Sequence, residues 1–308
     1  MNNDLSLVIG ASGLVGRSLM STLGHSGANV IGTYVNRAAA GLRQLDISDG
    51  GQVAACIAEL RPRNIYLTAA LTHVDYCEEH PEQARRTNVL GPLVIAQEAS
   101  RLGAKLIFYS SEYVFDGAAG PYSEAAAPNP LSVYGRTKLE AETAVRDVLE
   151  DALILRTTVV FGWDRTSKNF AMQIYERLEK GLEMIIPEDQ LGTPTWTEYL
   201  AETSVRLIQK GVSGVVNVAG RDTVPRSEFA RALVKTFGGQ PERVIAVSTA
   251  HLSQKAPRPL RGGLRTDKLA GLLSEAPISL EESLARLKLQ WQSDCGNRAE
   301  TRPSGSSF

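Results

Sequence analysis

The first half of the chain alternates short apolar runs with longer segments of helical spacing, and this alternation restricts the fold more than any other feature. The runs are rich in β-branched residues and read LSLVIG (5–10), NVIGTYV (29–35), IYLTAA (65–70), KLIFYSS (105–111) and ALILRTTVVFG (152–162). The segments between them, such as GQVAACIAELRP and LGPLVIAQEASRLG, have the spacing of amphipathic helices. Apolar strands separated by helices indicate a parallel sheet covered on both faces. We therefore predict an α/β fold with a doubly wound parallel sheet.

The second half follows a less regular pattern, which predicts a smaller α/β domain interleaved with the first. A helix over NFAMQIYERLEKG leads to an extended MIIPEDQLGTPTWTEYLAE, and GVVNVAG (214–220) has the composition of a returning strand. The final SDCGNRAETRPSGSSF is polar and without periodicity, as is typical of disorder. The expected organisation is a first domain over 1–162 with a return segment over about 212–245, a smaller domain over 163–211 and 246–292, and a disordered tail over 293–308.

Composition excludes several function classes. The 308 residues carry a net charge of -1, which gives no electrostatic footprint for nucleic acid or a membrane surface. No apolar run approaches the roughly 20 residues that a spanning helix needs, and the first strand begins too early to leave room for a signal peptide. Neither the three cysteines nor the four histidines have metal-ligand spacing. We therefore expect a cytoplasmic protein without disulfides or a metal.

Three glycines follow the first apolar run and indicate a dinucleotide site. In LVIGASGLVGRSL, Gly10, Gly13 and Gly16 have the spacing GxxGxxG and precede a helix. Such glycines make the strand-to-helix turn, let the backbone approach a pyrophosphate, and let helix and strand pack closely. A tight turn without a ligand is the alternative. Because this motif lies at the first strand-to-helix junction of an alternating chain, we favour cofactor binding by a Rossmann-type domain.

The end of the second strand distinguishes the two nicotinamide dinucleotides. An acidic residue about 20 positions after the glycines would bind the ribose 2′-hydroxyl of NAD, but GTYVNRAAAG has no carboxylate there. Arg37 is placed to meet a 2′-phosphate, although a solvated loop arginine is the alternative. We therefore predict NADPH, with NADH as the second choice. Asp46 and Ile47 are candidates for the adenine contact, and Asp46 or Ser48 could equally cap the next helix.

A serine, a tyrosine and a lysine supply the chemistry. Ser111 ends the fourth apolar run, at the sheet edge where open α/β sheets hold their ligands. Tyr134 and Lys138 lie one helical turn apart in SVYGRTKLEAE, where a lysine packed on a tyrosine ring would need no function. Beside a dinucleotide, the three suit carbonyl reduction: the serine orients the carbonyl oxygen, the phenol delivers a proton, and the lysine lowers the pKa of the phenol.

Several motifs together resemble those of the extended short-chain dehydrogenases/reductases, and within them most closely those of the dTDP-4-dehydrorhamnose reductases. The motifs are GASGLVG, AALTHVD, TNVLGP, SSEYVFDG and YGRTK, with the more specific NPLSVYGRTKLEAE, DQLGTPTWTEYLAE and RPLRGGLRTDKL. The similarity covers residues 5–289. It implies a Rossmann domain with a smaller substrate-binding domain, an NADP(H)-dependent reduction of a nucleotide-activated 4-keto-deoxysugar, and a nucleotide sugar as the binding partner. A homodimer is left open.

The resemblance also implies roles for individual residues. Ser111, Tyr134 and Lys138 fall at the catalytic positions. On the substrate side it places Glu112, Tyr113 and Arg258, with Arg261 as a further candidate for a phosphate contact; ordinary surface charge is the alternative for both arginines. Around the cofactor it adds Ser12, Leu14, Val15, Ala69, Ala70 and Thr72. Asn88 matches a helix asparagine beside the active site of relatives, and packing is its alternative role.

Two departures put the identity of the sugar in question. The chain has RTTVVF where the rhamnose-forming reductases have RTSWVY, so Val159 replaces a tryptophan that would line the sugar pocket. Glu112 replaces an aspartate and is one methylene longer. Trp163 or Trp196 could supply aromatic surface instead, or could belong to the core.

Two other functions are compatible with the sequence. One is a nucleotide-sugar epimerase or dehydratase of the same superfamily, but a dehydratase should have an acidic pair directly after the catalytic serine, and here only Glu112 precedes Tyr113. The other is a cofactor-binding regulatory subunit that resembles the one of methionine adenosyltransferase. The intact set of serine, tyrosine and lysine favours an enzyme over a regulator.

Overall fold

A seven-stranded parallel sheet runs through the larger part of the molecule. The computed structural model describes residues 4–300, with side chains up to residue 296. In chain order the strands are β1 (Ser6–Ile9), β2 (Val30–Tyr34), β3 (Leu42–Gln44), β4 (Asn64–Leu67), β5 (Lys105–Ser111), β6 (Leu153–Thr157), β7 (Val160–Phe161), β8 (Met184–Pro187), β9 (Leu191–Gly192), β10 (Thr195–Trp196), β11 (Gly214–Asn217), β12 (Val224–Pro225) and β13 (Val244–Val247). The α-helices are α1 (Leu14–His25), α2 (Gly50–Leu60), α3 (Val74–Glu79), α4 (Pro81–Arg85), α5 (Gly91–Leu102), α6 (Val133–Val148), α7 (Phe170–Glu179), α8 (Thr197–Gln209), α9 (Arg226–Thr236), α10 (Asp267–Leu273) and α11 (Leu280–Glu300).

The order of strands in the large sheet places a crevice beside β1. The order is β11-β6-β5-β4-β1-β2-β3, and every neighbouring pair is parallel. From β1 the chain builds outward through β2 and β3, then crosses to β4 on the other side. Ligands of open α/β sheets bind at the carboxyl ends of strands where the order reverses in this way. The predicted doubly wound α/β fold is confirmed, and a ligand is expected beyond β1 and β4.

Alternate residues of the strands face two separate cores. Val8, Tyr66 and Leu155 pack into the core below α1 and α8, whereas Leu67 and Phe108 pack into the core below α2, α5 and α6. Residues two apart share a face of a strand, so a strand that is apolar throughout supplies both cores at once. This is the physical reason for the unbroken apolar runs in the sequence.

Three small two-stranded sheets organise the second half of the chain. The pairs are β8 with β13, β7 with β10, and β9 with β12, and only the last pair is antiparallel. Helices α7, α9 and α11 pack around aromatic side chains, in which Phe237 lies 5.1 Å from Tyr175 and 5.5 Å from Trp291 between ring centroids. This second part lies on the side of the large sheet where the carboxyl ends of β5 and β6 emerge.

The boundaries between the two parts differ from those expected. Within the expected return segment 212–245, β11 joins the large sheet, but α9 and β13 pack with α7 and β8 because their apolar side chains share that core. Within the expected second-domain segment 163–211, α8 packs on α1 instead, where the hydroxyls of Ser18 and Thr197 lie 3.3 Å apart. The chain thus crosses between the two parts more often than its composition indicates.

The predicted disordered tail begins as helix. Helix α11 extends to Glu300, and Asp294 forms an ion pair of 2.7 Å with Arg165, so the order reaches beyond the periodic part of the sequence. Residues 301–308 of the predicted tail lie outside the described residues. No helix within residues 4–300 has the length and apolar content that crossing a membrane requires.

Candidate active site

The glycine turn joins β1 to α1 at the expected crevice. Gly10 has a φ of 94°, in the left-handed region that favours glycine, and Gly13 is the N-cap of α1 without a side-chain hydrogen bond. A Cβ on Gly16 would lie 2.2 Å from the carbonyl oxygen of Gly10, so only glycine permits this approach of helix and strand. Ser12 lies in the turn, and Leu14 and Val15 are the first two residues of α1. A helix N-terminus without a side-chain cap presents N–H groups and a positive dipole end to an anion, which suits a pyrophosphate.

The residues after β2 and β3 lie at the outer end of the same edge. Arg37 is exposed and donates a hydrogen bond to the carbonyl oxygen of Thr166, in the loop before α7. Arg17, on α1, forms an ion pair of 2.7 Å with Asp164 of the same loop. Both arginines are therefore held by one loop beside the glycine turn.

The N-cap of α2 is neither of the two predicted residues. Asp49 is the N-cap and accepts a hydrogen bond of 3.0 Å from the backbone N–H of Gln52. The alternative role of Asp46 or Ser48 as this cap is therefore wrong. Asp46 is half-buried and accepts a hydrogen bond of 2.8 Å from the backbone N–H of Ser48, and Ile47 is buried beside it.

The segment after β4 lies against the glycine turn and is held by an asparagine. The backbone N–H of Ala69 donates to the carbonyl oxygen of Ile9 over 3.0 Å, and Ala70 and the exposed Thr72 follow at the sheet edge. Asn88 is buried; its amide oxygen accepts from the Leu71 N–H at 2.8 Å and its amide nitrogen donates to the Leu71 carbonyl at 3.0 Å. Asn88 thus orders this segment from a short π-helix (Arg86–Leu90), a type of helix that often marks functional sites.

Helix α6 brings the tyrosine to the end of β5. Ser132 caps the helix, because its hydroxyl accepts a hydrogen bond of 3.2 Å from the backbone N–H of Gly135. A Cβ on Gly135 would lie 2.1 Å from the carbonyl oxygen of Tyr113, so glycine lets the helix start lie directly on the short 3₁₀ turn after β5. As a result, the buried Tyr134 lies close enough to Ser111 for the serine hydroxyl to influence the pKa of the phenol. The structure brings these two predicted residues together.

Burial sets the protonation of Tyr134 and Lys138. Desolvation raises the pKa of Tyr134 above its usual value, and the nearby hydroxyl of Ser111 opposes this shift only in part. Desolvation lowers the pKa of Lys138 to about 7, opposed by the negative charge of Glu142. The expectation that the lysine lowers the pKa of the phenol therefore differs from the structure, because burial dominates both groups.

The amine of Lys138 lies on strand β5. It donates a hydrogen bond of 2.5 Å to the carbonyl oxygen of Tyr109 and lies 4.2 Å from the ring centroid of Phe108. One turn further along α6, Glu142 forms a buried ion pair of 2.6 Å with Arg156 of β6. Helix α6 is thus anchored to both central strands beneath the Ser111–Tyr134 pair.

Glu112 is a buried carboxyl group that joins three segments of the chain. It accepts hydrogen bonds from the hydroxyl of Thr158 and from the backbone N–H of Gly263, the latter over 2.5 Å. Desolvation raises its pKa despite these bonds and the nearby charge of Arg226. Its side chain therefore has a greater tendency to be neutral than an exposed glutamate.

The two predicted arginines of the second half differ in their surroundings. Arg258 donates to the Tyr113 hydroxyl at 3.2 Å and forms an ion pair of 2.8 Å with Asp75. The Tyr113 ring in turn contacts that of Tyr134 edge to face, with centroids 5.5 Å apart. Arg261 is exposed, and its backbone rather than its side chain joins the neighbouring segments. Only Arg258 therefore reaches the predicted substrate side.

A cavity of about 160 Å³ opens beside Ser111 and between the two parts of the molecule. Its lining combines predicted site residues with residues of the small sheets and of α9: Ser111, Glu112, Tyr113, Thr158, Val159, Gln190, Leu191, Gly192, Pro194, Val224, Arg226, Phe229 and Pro259. Val159 has a φ of 42°, an uncommon and strained conformation for a β-branched residue. The strain lies at the position where the sequence departs from the rhamnose-forming reductases.

The two tryptophans do not replace the missing aromatic surface. Trp163 packs edge to face on Tyr175 with centroids 4.9 Å apart, and Trp196 is buried in the core with its ring below the guanidinium of Arg286. Arg226, Gln190 and Phe229 also line the cavity, and no sequence motif marks any of the three individually. They lie in the extended segment before α8 and in the segment VPRSEFA. The pairing of β9 with β12 joins these two segments and so brings the three residues to the cavity.

Comparison with known proteins agrees with this architecture. The RmlD substrate binding domain family matches residues 5–291. The probable low-salt glycan biosynthesis reductase Agl14 of Haloferax volcanii is 34% identical to this chain. The match covers 92% of this chain and 97% of that protein. The methionine adenosyltransferase 2 subunit beta of Xenopus tropicalis is 30% identical, with 91% of this chain and 86% of that protein covered.

A solved structure gives the same result for the fold. The dTDP-4-dehydrorhamnose reductase of Bacillus anthracis, crystallised in complex with NADP, superimposes with a TM-score of 0.84 at 26% identity. The match covers 93% of this chain and 99% of that one. With its doubly wound sheet, its cavity at the carboxyl ends of β5 and β6 and a family match over nearly its whole length, the chain belongs to the RmlD substrate binding domain family.

Proposed function

We propose that this protein is an NADPH-dependent reductase that converts the 4-keto group of a nucleotide-activated deoxysugar into a hydroxyl, with Tyr134 as the proton donor. One observation carries the proposal: Tyr134 lies close to Ser111, and Ser111 lines the cavity at the carboxyl end of β5. Relatives named as reductases, one of them a dTDP-4-dehydrorhamnose reductase, support this substrate class.

The residues around the crevice fit a dinucleotide. The uncapped start of α1 suits a pyrophosphate, and the close approach at Gly16 leaves no side chain in the way. The complex of the Bacillus anthracis relative with NADP supports NADPH over NADH. We assign the binding of NADPH to Gly10, Ser12, Gly13, Leu14, Val15, Gly16, Arg37, Asp46, Ile47, Ala69, Ala70, Thr72, Tyr134 and Lys138.

Bound NADPH would supply the hydride that reduces the carbonyl carbon. Ser111 would orient the carbonyl oxygen by a hydrogen bond. Tyr134 would give its phenolic proton to that oxygen, and the raised pKa of Tyr134 keeps the phenol protonated at neutral pH until this transfer. The ketone thus gains a hydride on carbon and a proton on oxygen. Lys138 would hold the phenol and the cofactor ribose in place from below.

The substrate side would be formed by Glu112, Tyr113 and Arg258. Glu112 has a greater tendency to be neutral than an exposed carboxyl group, so it suits a sugar hydroxyl better than a cation. Arg258 is fixed by Asp75 and by Tyr113, and Tyr113 lines the cavity. The smaller side chain of Val159 leaves room where a tryptophan would lie, which supports a sugar other than the rhamnose precursor.

The test is NADPH oxidation in the presence of a dTDP-4-keto-6-deoxysugar, compared between wild type, Tyr134→Phe and Tyr175→Phe. Tyr175 is a tyrosine of the aromatic core and serves as the matched control. We expect kcat to fall by about 10²- to 10⁴-fold in Tyr134→Phe and to stay near wild type in the control. Equal rates for Tyr134→Phe and wild type would refute Tyr134 as the proton donor.

A regulatory subunit is the second candidate, because the methionine adenosyltransferase 2 subunit beta is 30% identical over most of both chains. A wild type that binds NADPH tightly but oxidises none with any nucleotide 4-ketosugar would favour it. The position of Ser111 at the cavity, with Tyr134 close to it, favours the reductase.

A further inference from the structure

Arg226 places a guanidinium in the wall of the cavity. It is the first residue of α9, is half-buried, and lines the cavity together with Ser111 and Glu112. Its guanidinium carbon lies 4.2 Å from the ring centroid of Phe170, which supports the group from one side. Its backbone N–H donates to the carbonyl oxygen of Gln190 over 2.8 Å, so the start of α9 is held in position.

No acidic side chain within residues 4–296 forms an ion pair with Arg226. The two other arginines near the site do have such partners: Arg258 pairs with Asp75, and Arg156 pairs with Glu142. Arginine is rarely buried without a partner, because removing its charge from water costs free energy that an opposite charge must offset. The arrangement at Arg226 therefore calls for an anion that the chain itself does not supply.

Glu112 lines the same cavity as Arg226, but its carboxyl oxygens already accept hydrogen bonds from other parts of the chain. Its two oxygens accept from Thr158 and from the Gly263 N–H, and burial favours its neutral form. Its charge acts on Arg226 only through space, and burial lowers the pKa of Arg226 even so. Glu112 is thus turned toward Gly263, and the guanidinium donors of Arg226 are left for a molecule in the cavity.

We infer that Arg226 binds an oxyanion of the substrate, either a phosphate of its diphosphate or a carboxylate on its sugar. A planar guanidinium matches two oxygens of either group with parallel hydrogen bonds. The inference rests on the proposed function, because it names the substrate group that this cavity selects. It assigns specificity to a residue of the second half that lies outside the serine, tyrosine and lysine set.

The test measures binding without turnover, by calorimetric titration of wild type, Arg226→Met, Arg226→Lys and Arg231→Met. Arg231 lies on the same helix and donates to the carbonyl oxygen of Val244, away from the cavity, so it is the matched control. The ligands are thymidine, dTDP, dTDP-glucose and dTDP-glucuronate. Thymidine has neither anionic group, dTDP has only the diphosphate, and the last two differ by the sugar carboxylate.

We expect Arg226→Met to weaken an anionic ligand by about 10- to 100-fold and to leave thymidine unchanged. A loss that already occurs with dTDP identifies the diphosphate; a loss with dTDP-glucuronate beyond that with dTDP-glucose identifies the carboxylate. Arg226→Lys, which keeps the charge without the paired donors, should lose less, and Arg231→Met should bind as wild type does. Should Arg226→Met fail to fold, the Arg226→Lys titration decides in the same way.

Equal affinities of wild type and the Arg226 variants for every ligand would overturn the inference. So would an equal loss for thymidine and dTDP, which would mean that the cavity had merely collapsed. Reductase activity is assayed separately. If wild type reduces no ketosugar while the Arg226→Met loss persists, the proposed function fails and the oxyanion site stands.

Discussion

The amine of Lys138 donates a 2.5 Å hydrogen bond to the backbone carbonyl of Tyr109, and so a lysine of helix α6 is buried against the strand that ends in Ser111. A carbonyl accepts a hydrogen bond from either form of the amine but does not offset the charge of an ammonium. Burial therefore lowers the pKa of Lys138 to about 7 from its ordinary value of 10.5.

Stability should depend on pH through this lysine. Between pH about 7 and 10.5 the unfolded chain binds the proton and the folded chain does not, so the free energy of unfolding should rise with pH across this window. Urea unfolding of wild type and Lys138→Met measures this pH dependence, because the variant lacks the Lys138 amine and keeps every other titratable group. We expect the difference, wild type minus variant, to increase from pH 7 upward. A difference independent of pH would show that Lys138 titrates normally.

Glu112 should stabilise the junction of the two parts through its acceptor oxygens. Glu112→Ala leaves the buried Gly263 N–H without its acceptor and should cost about 1–3 kcal/mol of unfolding free energy. Glu112→Gln keeps an oxygen for Gly263 and an amide for Thr158, and should cost clearly less. Denaturant titration of both variants checks this, and equal losses would contradict the role of the acceptor.

The sign of the pH effect at Glu112 is opposite to that at Lys138. Its pKa is raised in the folded state, so above the ordinary glutamate value of 4.5 the folded chain binds the proton more strongly than the unfolded chain does. Wild type should lose stability relative to Glu112→Gln as the pH rises from 4.5 through the folded pKa. Parallel pH profiles of the two proteins would contradict the raised pKa.

The glycine turn should tolerate no side chain at Gly16. A Cβ there would lie 2.2 Å from the Gly10 carbonyl oxygen, so Gly16→Ala must displace the turn and should weaken NADPH binding by about tenfold or more. Gly24→Ala, in the same helix and with nothing within 4 Å of the new Cβ, is the control. It should leave binding unchanged and raise stability by up to about 1 kcal/mol. Fluorescence titration with NADPH distinguishes the two variants.

Arg37 should determine the preference between the two cofactors. Its exposed guanidinium donates to a carbonyl oxygen of Thr166 and would exchange this contact for the 2′-phosphate. Arg37→Met should raise the KM for NADPH by about 10- to 100-fold and leave that for NADH unchanged. Arg43→Met is the control, because Arg43 lies on β3 and forms an ion pair with Glu59 of α2. Equal changes for both cofactors would argue against a 2′-phosphate contact.

The large sheet was predictable because its strands are defined by local composition. All five apolar runs are strands, and the returning GVVNVAG contributes β11, since a strand buried on both faces must be apolar throughout. The family was predictable for a related reason, because its motifs lie in short contiguous segments such as SSEYVFDG. The proposed roles of Ser111, Tyr134 and Lys138 remain predictions, although the structure places Ser111 and Tyr134 close together.

The second half was less predictable because its contacts join distant segments. Strands of two residues, such as β9 and β12, have no periodicity, and they pair only because the cores around them form. In the sequence, Arg226 therefore resembles any arginine at the start of a helix. Only the pairing of Pro225 with Leu191 brings it to the cavity. The left-handed conformation of Val159 has no signal in the sequence either, since a valine there contradicts its local preference.

The central claim is the transfer of hydrogen from NADPH to a nucleotide ketosugar at the cavity beside Ser111. The most direct measurement incubates the wild-type protein with NADPH that carries deuterium at both positions of nicotinamide C4 and with a dTDP-4-keto-6-deoxysugar, followed by mass spectrometry of the product. We predict one deuterium on sugar carbon 4 in every product molecule. An unchanged ketosugar with the cofactor bound but not oxidised, or a reduced product without deuterium, would contradict it.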